Sequence, residues 1–351
     1  MAMFSIRLYA GVEKIAYRGY TNCYRIYNDS VELVIVPEAG GRVLKYALNN
    51  KNIIFENTSQ NGKLLDDWLN NWFDPDGGRF DLGPEGVTNN GSERPHDTIY
   101  MGAYAPEVTG RYSLKITSML DQELNVLVTR DFTLDSLSSH ATVKQSVINK
   151  SQAPSHYYHW GRTLCPLGGT IIMPLHHNSA YALGWGDFKS AGGWAFNTAN
   201  PSQPYATVHD SVLTLKPPAT GSNKFGVDAN DGWIAYGYND LLMVKKFKHF
   251  PEGLYKEPGA ATIVSYYNGG GKFVELEPIG PEAVQNYNDT ATFEEHWWLL
   301  TYKGAANVHD NPAHAINFLH ANTQPIEPRD LIVPTGHLVE KLSIDTNFWF
   351  Y

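Results

Sequence analysis

Cysteine is nearly absent from this sequence. Cys23 and Cys165 are the only two, with no CxxC pair and no partner at metal-ligand spacing. That count excludes a disulfide-stapled scaffold or a zinc cluster, and two buried free thiols are expected. Apolar runs long enough to span a membrane are missing. An excess of positive charge is missing too: the formal net charge is -9, so there is no electrostatic footprint for nucleic acid. Residues 1–19 lack a basic start followed by an apolar core, so no secretory signal is expected there, and the location is cytoplasmic or periplasmic. Tandem repeats, Ser/Gly linkers and charge blocks are missing as well, which favours a single domain over residues 1–351. GxSxG, HExxH, P-loop and dinucleotide glycine motifs do not occur. Their absence removes the motif-borne nucleophilic, metalloprotease and nucleotide chemistries, and no cofactor or metal is expected.

What is present is β-structure and aromatic mass. Hydrophobic residues make up 42% of the 351, with 21 Tyr and 9 Trp. Period-two alternation over Ser30–Val36, Arg42–Tyr46, Tyr112–Ile116, Leu124–Arg130 and His140–Asn149 predicts strands. So does the alternation over His156–Thr163, Gly232–Tyr238, Leu241–Phe247, Ala261–Tyr267, Lys272–Glu277 and Thr290–Tyr302. Leu64, Leu65, Trp68, Leu69 and Trp72 recur at helical spacing, predicting a short amphipathic helix over Lys63–Trp72. Asn311 and Pro312 mark the start of another. Gly184–Pro218 reads as loop. Asp74-Pro-Asp76-Gly77 opens like a calcium loop, but no distal Glu follows in register, so it is expected to be a loop shaped by glycine. Many short strands and few helices predict an all-β, large antiparallel sandwich.

The one odd strand face belongs to Phe273, Glu275 and Glu277, which share a side by alternation. On periodicity alone this is the wet face of an edge strand. A carboxylate held on a rigid strand is also a candidate proton acceptor. The remaining acid–base candidates are His96, His156 and His159, with Arg79, Arg162 and Lys245 or Lys246 as anion binders. On the histidine-bearing strand, His156 and Tyr158 point one way and Tyr157, His159 and Gly161 the other.

The order of several segments resembles the galactose mutarotase-like superfamily of sugar-binding sandwiches, and within it an uncharacterised bacterial branch, DUF4380. The pieces are Val31-Glu-Leu-Val-Ile-Val-Pro37 through Gly41-Arg42, Gly77-Gly78-Arg79 with Gly83-Pro84-Glu85, and Val147-Ile-Asn-Lys-Ser151. Gly232-Trp233-Ile-Ala-Tyr236, Lys245-Lys246-Phe247 through Tyr255, Val274–Pro281 and Glu295-His-Trp-Trp-Leu299 complete them. The resemblance covers about residues 20–302 and leaves 303–351 as a C-terminal extension packed on the core.

It implies a cleft for a mono- or oligosaccharide, and mutarotase- or epimerase-like acid–base chemistry at the anomeric carbon of a free sugar or uronic acid. Glu275 matches the base. The acid is His159 or His156, with His159 nearer the middle of its strand. Arg79 matches the arginine that holds sugar hydroxyls, and His96 a second substrate histidine outside its usual His-Gly-Gly context. Arg162, Glu277, Lys246, Tyr255 and Trp72 join the substrate-binding set. A non-catalytic sugar-binding protein and a polysaccharide lyase or glycoside hydrolase are the alternatives. Glu275 and Glu277, about 6.5–7 Å apart at Cα, lie on one side of a sugar and make a poor hydrolase pair.

Two carboxylates this close raise one another's pKa, so one of them should hold a proton near neutral pH or be neutralised by Arg79 or Lys246. A carboxyl ¹³C NMR titration tests this. Two ordinary, independent titration curves for Glu275 and Glu277 would remove the idea.

Overall fold

The computed structural model describes residues 10–84, 96–190 and 196–325, and the backbone of 337–338. Two antiparallel sheets form the expected sandwich. The front sheet runs, in spatial order, Gly11–Tyr17, Tyr20–Tyr27, Val31–Val36, Arg42–Leu48, Gly78–Gly83, Ser155–Pro166, Phe273–Pro278, Ile263–Asn268, Ser222–Val227 and Gly186–Asp187. The back sheet runs Ala206–His209, Val212–Leu215, Thr170–Pro174, Trp233–Tyr238, Leu241–Phe247, Thr290–Thr301, Ala141–Asn149, Val126–Leu134, Ser113–Ser118 and Tyr104–Gly110. Phe273–Pro278 is paired on both sides, by Ser155–Pro166 and Ile263–Asn268, so it is central and not an edge. Its Val274 and Leu276 enter the core between the sheets, beside Phe80, Leu82 and Cys165 from the front and Val143, Met243 and Leu299 from the back. Alternation then sends Glu275 and Glu277 to the outer face.

The segments differ from expectation in instructive ways. The predicted helix over 63–72 is Leu65–Asn70, and it buries Trp68 alone. Trp72 lies past its end and is 51% exposed. The second helix is Ala313–Asn322, with Pro312 in the capping position that Asn311 was expected to fill. Its Ala315 and Leu319 pack with Trp233, Trp298 and Tyr302 on the outer side of the back sheet. The stretch expected as loop over 184–218 carries three short strands, Gly186–Asp187, Ala206–His209 and Val212–Leu215. Cys23 and Cys165 are both buried free thiols. No described helix is long and apolar enough to cross a membrane.

The Asp74–Gly78 turn is held by arginines. Asp76 is buried and accepts from Arg42 Nη1 at 2.9 Å, Arg18 Nη2 at 2.7 Å and the Asn57 amide at 2.7 Å. Its own amide donates to Gln60 Oε1 at 2.9 Å. Every group a calcium ion would need from Asp76 is already engaged, and no metal-binding cluster occurs among the described residues. Gly77 takes φ 95°, and a Cβ there would meet the Val43 carbonyl at 2.8 Å, so only glycine makes the step into the Gly78–Gly83 strand.

The two sheets also enclose a charged cluster. Lys245 is fully buried, and its ammonium lies 2.8 Å from Glu295 Oε2 and donates to Thr163 Oγ1 and the Leu276 carbonyl at 3.1 Å each. Glu295 further accepts from Trp297 Nε1 at 2.8 Å and Gln145 Nε2 at 3.2 Å, and lies 2.9 Å from His159 Nε2. Burial works against the charge of Glu295, but Lys245 and His159 overcome it and hold its carboxyl well below the usual range. Gly161 makes room for this: a Cβ there would sit 2.2 Å from Glu295 Oε1.

Removing one member of such a pair leaves a lone charge in the core, at a cost of about 3–5 kcal/mol. Lys245→Met should therefore lower the stability measured by urea unfolding by that order, and adding Glu295→Gln should restore much of it. A single-mutant loss below about 1 kcal/mol would contradict a structural role for the pair.

Candidate active site

Five strands of the front sheet present one polar face. Gly78–Gly83 supplies Arg79 and Asp81, Ser155–Pro166 supplies Tyr158, Trp160 and Arg162, and Phe273–Pro278 supplies Glu275 and Glu277. Ile263–Asn268 adds Tyr266, which lies opposite Glu275, and Ser222–Val227 adds Lys224, which lies opposite Tyr266. Arg162 sits opposite Arg79, and Trp160 opposite Asp81, so these side chains share the face by register.

Arg79 joins the pieces. Its guanidinium binds Asp74 from the arginine-held turn and Glu275 from the central strand. Burial works against its charge, but Asp74, Tyr100 and Glu275 outweigh that and keep it firmly protonated. Glu277 accepts from Trp160 Nε1 at 3.1 Å. The Trp160 ring is flanked by Arg162, 3.9 Å from its centroid, and Lys224, 4.4 Å away. Lys224 also binds Glu257 Oε1 at 2.6 Å, and Tyr158 donates to Glu257 Oε2 at 3.0 Å.

The two glutamates divide one proton. Burial pushes Glu275 well above the usual carboxylate range, and the adjacent Glu277 adds to this. Arg79 opposes it without prevailing, because Asp74 shares the same guanidinium. Glu277 is buried too, yet its hydrogen bond with Glu275 and the nearby Lys224, Arg162 and Trp160 N–H hold it below the usual range. Burial and mutual repulsion thus raise Glu275, and the surrounding donors lower Glu277. Both groups are nearly closed off from solvent. Beside them Asp74 keeps 29% of its side chain exposed and Lys224 20%.

Several expected site residues lie elsewhere. His159 is on the opposite face of its strand from Trp160 and Arg162, inside the sandwich, stacked on Phe293 at 4.1 Å and bound to Glu295. It cannot meet a sugar lying over Glu275, so the expected His159–Glu275 acid–base pair does not form. His156 is at the strand's far end, 57% exposed at its side chain and 3.8 Å from Glu282. Six residues of strand, about 20 Å, separate it from Arg162. Lys246 points from the outer side of the back sheet, over Trp298 at 5.6 Å, and donates to the Gln324 carbonyl. It neutralises neither glutamate. Trp72 is out on the surface.

Arg79, Arg162, Glu275 and Glu277 do come together. Tyr255 packs with Tyr158 and Trp160 at the margin of the group. His96 reaches the same face through Asp81, with Nδ1 2.8 Å from Oδ1. Lys224, Trp160, Asp74, Tyr266 and Glu257 were not anticipated. Only Trp160 carried a usable signal, since strict alternation from Arg162 places it on the arginine's side.

Comparison with known proteins places the fold. No protein-family model and no curated protein sequence matches the chain. Among solved structures it is similar to a galactose mutarotase-like protein from Clostridium acetobutylicum, with a TM-score of 0.57 at 11% identity, over 83% of this chain and 98% of that one. It is also similar to a galactose mutarotase-like protein from Lactobacillus casei ATCC 334, with a TM-score of 0.55 at 10% identity, over 80% of this chain and 100% of that one. A candidate aldose 1-epimerase from Escherichia coli K12 matches with a TM-score of 0.55 at 12% identity, over 80% and 99% of the two chains. The fold is galactose mutarotase-like.

The raised Glu275 has a stability signature with a definite sign. Above the unfolded carboxyl pKa of about 4.3, the unfolded chain has released a proton that the native chain still holds. Native stability due to Glu275 therefore falls as pH rises through that window. Urea unfolding of the wild type and of Glu275→Gln should diverge in favour of the variant between about pH 5 and about pH 8, by at most about 1.4 kcal/mol per pH unit. A gap that stays constant over this range would show that Glu275 is ionised in the native state.

Proposed function

We propose that the protein is a mutarotase-like isomerase, acting at the anomeric carbon of a free neutral sugar, and that the Glu275–Glu277 pair moves the proton. The observation that carries this is two buried carboxyls side by side on one rigid strand, one raised and the other lowered by their neighbours, inside a galactose mutarotase-like fold. Mutarotation needs an acid for the ring oxygen and a base for the anomeric hydroxyl. Both oxygens are bonded to C1, so two neighbouring carboxyls on one side can serve both. The ionised member takes the hydroxyl proton as the protonated member gives its own to the ring oxygen, and the C1–O bond of the ring opens to an aldehyde. Rotation about C1–C2 and the reverse transfers close the other anomer, with no net change of charge. This assignment needs no histidine on the face, which fits His159 pointing away from it.

Charge selects among sugars. Asp74, Glu257, Glu275 and Glu277 face Arg79, Arg162 and Lys224. Asp81 adds a fifth carboxyl to the same face, so carboxyls outnumber the three cations and a uronate would bring a further negative charge. That disfavours the uronic acid substrate and the lyase alternative. We take residues 1–351 as one domain of the DUF4380 kind, cytoplasmic or periplasmic. A binding protein without catalysis is the second reading, favoured by how completely these charged groups are buried.

NMR exchange spectroscopy of anomers over a panel of free aldoses and uronic acids separates these. The wild type should accelerate exchange for a neutral aldose, and Glu277→Gln should reduce the rate by about 10²–10⁴-fold. Binding without any acceleration would leave the second reading in its place.

A further inference from the structure

Behind the front sheet, at the end of the sandwich near Tyr157, Phe250 and Pro281, lies a cavity of about 40 Å³. Its walls are mostly apolar, including Phe80, Leu82, Val147 and Phe293, and among its polar side chains His159, Gln145 and Gln285 decide what it can hold. All three are more than nine-tenths buried, and each has one polar atom without a protein partner: His159 Nδ1, Gln145 Oε1 and Gln285 Oε1. Buried polar atoms in native proteins are rarely left so, and three around one cavity call for a guest.

The partners already present fix what kind of guest. Gln145 uses its amide N–H on Glu295, and Gln285 uses its own on the Val147 carbonyl at 2.7 Å, so each offers the cavity a carbonyl oxygen. His159 directs Nε2 at the Glu295 carboxylate, and burial keeps its ring neutral over the pull of that carboxylate, so Nδ1 is an acceptor. The cavity therefore presents three unpaired acceptors, beside the Tyr157 hydroxyl and a Thr292 hydroxyl already shared with Ser146 Oγ. An anion would meet the lone pairs of all three acceptors. A cation would face Lys245 and Arg130, with Glu295 already engaged by Lys245. A neutral hydroxyl donor satisfies all three. The volume holds about three water molecules, one for each acceptor.

We propose that this cavity is a binding site for small neutral hydroxyl donors, filled by about three ordered waters or by a short alcohol such as methanol or ethylene glycol. The guest completes the hydrogen bonding of His159 and so fixes the Nε2–H form that serves Glu295. The site is on the opposite side of the front sheet from the glutamate pair and does not depend on what that pair does.

NMR of the full chain, labelled with ¹⁵N and ¹³C and with no sugar present, tests it. His159 should show the Nε2–H tautomer, with its Nδ1 resonance displaced toward the hydrogen-bonded position. Nuclear Overhauser contacts from long-lived water to the Phe293 and His159 rings would identify water as the guest. Saturable displacement of those contacts by methanol or ethylene glycol, with a shift at Nδ1, would show that alcohols share the site. Gln285→Leu should lose the contacts nearest that residue and keep those at His159. The proposal is overturned if Nδ1 carries the proton, or if xenon under pressure enters the wild-type cavity while neither water contacts nor an alcohol-induced shift is seen.

Discussion

A lysine ammonium sealed between two sheets constrains much of the rest of the molecule. Lys245 can stay there only because Glu295 meets its charge and the Thr163 hydroxyl and Leu276 carbonyl take its other protons. Glu295 in turn needs Trp297, Gln145 and His159, so residues from five strands in both sheets are committed to one charge pair. Such a pair contributes little net stability compared with apolar packing, but it tolerates no misplacement. It fixes how the sheets face one another. It also pins the backbone of Leu276, the residue between Glu275 and Glu277.

The outer face answers with a second ionic system of different character. Inside, a lysine and a carboxylate neutralise one another and the histidine is kept neutral. Outside, three cations are shared among five carboxyls, with Asp81 set against His96 and the two glutamates sharing a hydrogen bond. The asymmetry between Glu275 and Glu277 comes from their neighbours. Arg79 is divided between Glu275 and Asp74, whereas Glu277 has an indole N–H together with the fields of Lys224 and Arg162. The arginine-held turn at Asp76 matters because it delivers Asp74 to Arg79, and so leaves Glu275 the more weakly stabilised of the two as an anion.

The sandwich was legible because apolar alternation, as at Val274 and Leu276, says plainly which side is core. The outward side of the two glutamates followed from that, whereas Arg79 and the role of Glu275 came from the resemblance. The histidine strand gave no such guidance. In Ser155–Pro166 both alternating sets mix aromatic, polar and small residues, so nothing local tells which set faces the core. The side of His159 was settled by Glu295, more than a hundred residues away. Lys245 and Lys246 are adjacent and identical in type, and only pairing across the sheet sends one inward and the other out. Lys224 sits in Ser-Asn-Lys-Phe-Gly-Val, too short and mixed to announce a strand. Trp72 continued the helical spacing of Trp68, but the helix stops at Asn70.

The separation of the two ionic systems rests on nothing more than odd and even positions along shared strands, and this limits how the lineage can change. Deleting or inserting one residue within Ser155–Pro166 or Phe273–Pro278 would exchange the faces, sending carboxylates among the core apolar groups and the apolar groups outward. Length variation among descendants of such a chain is therefore confined to the turns, or to paired insertions that preserve parity. Substitutions can drift freely in chemistry along either face, but the two strands are held to a fixed count.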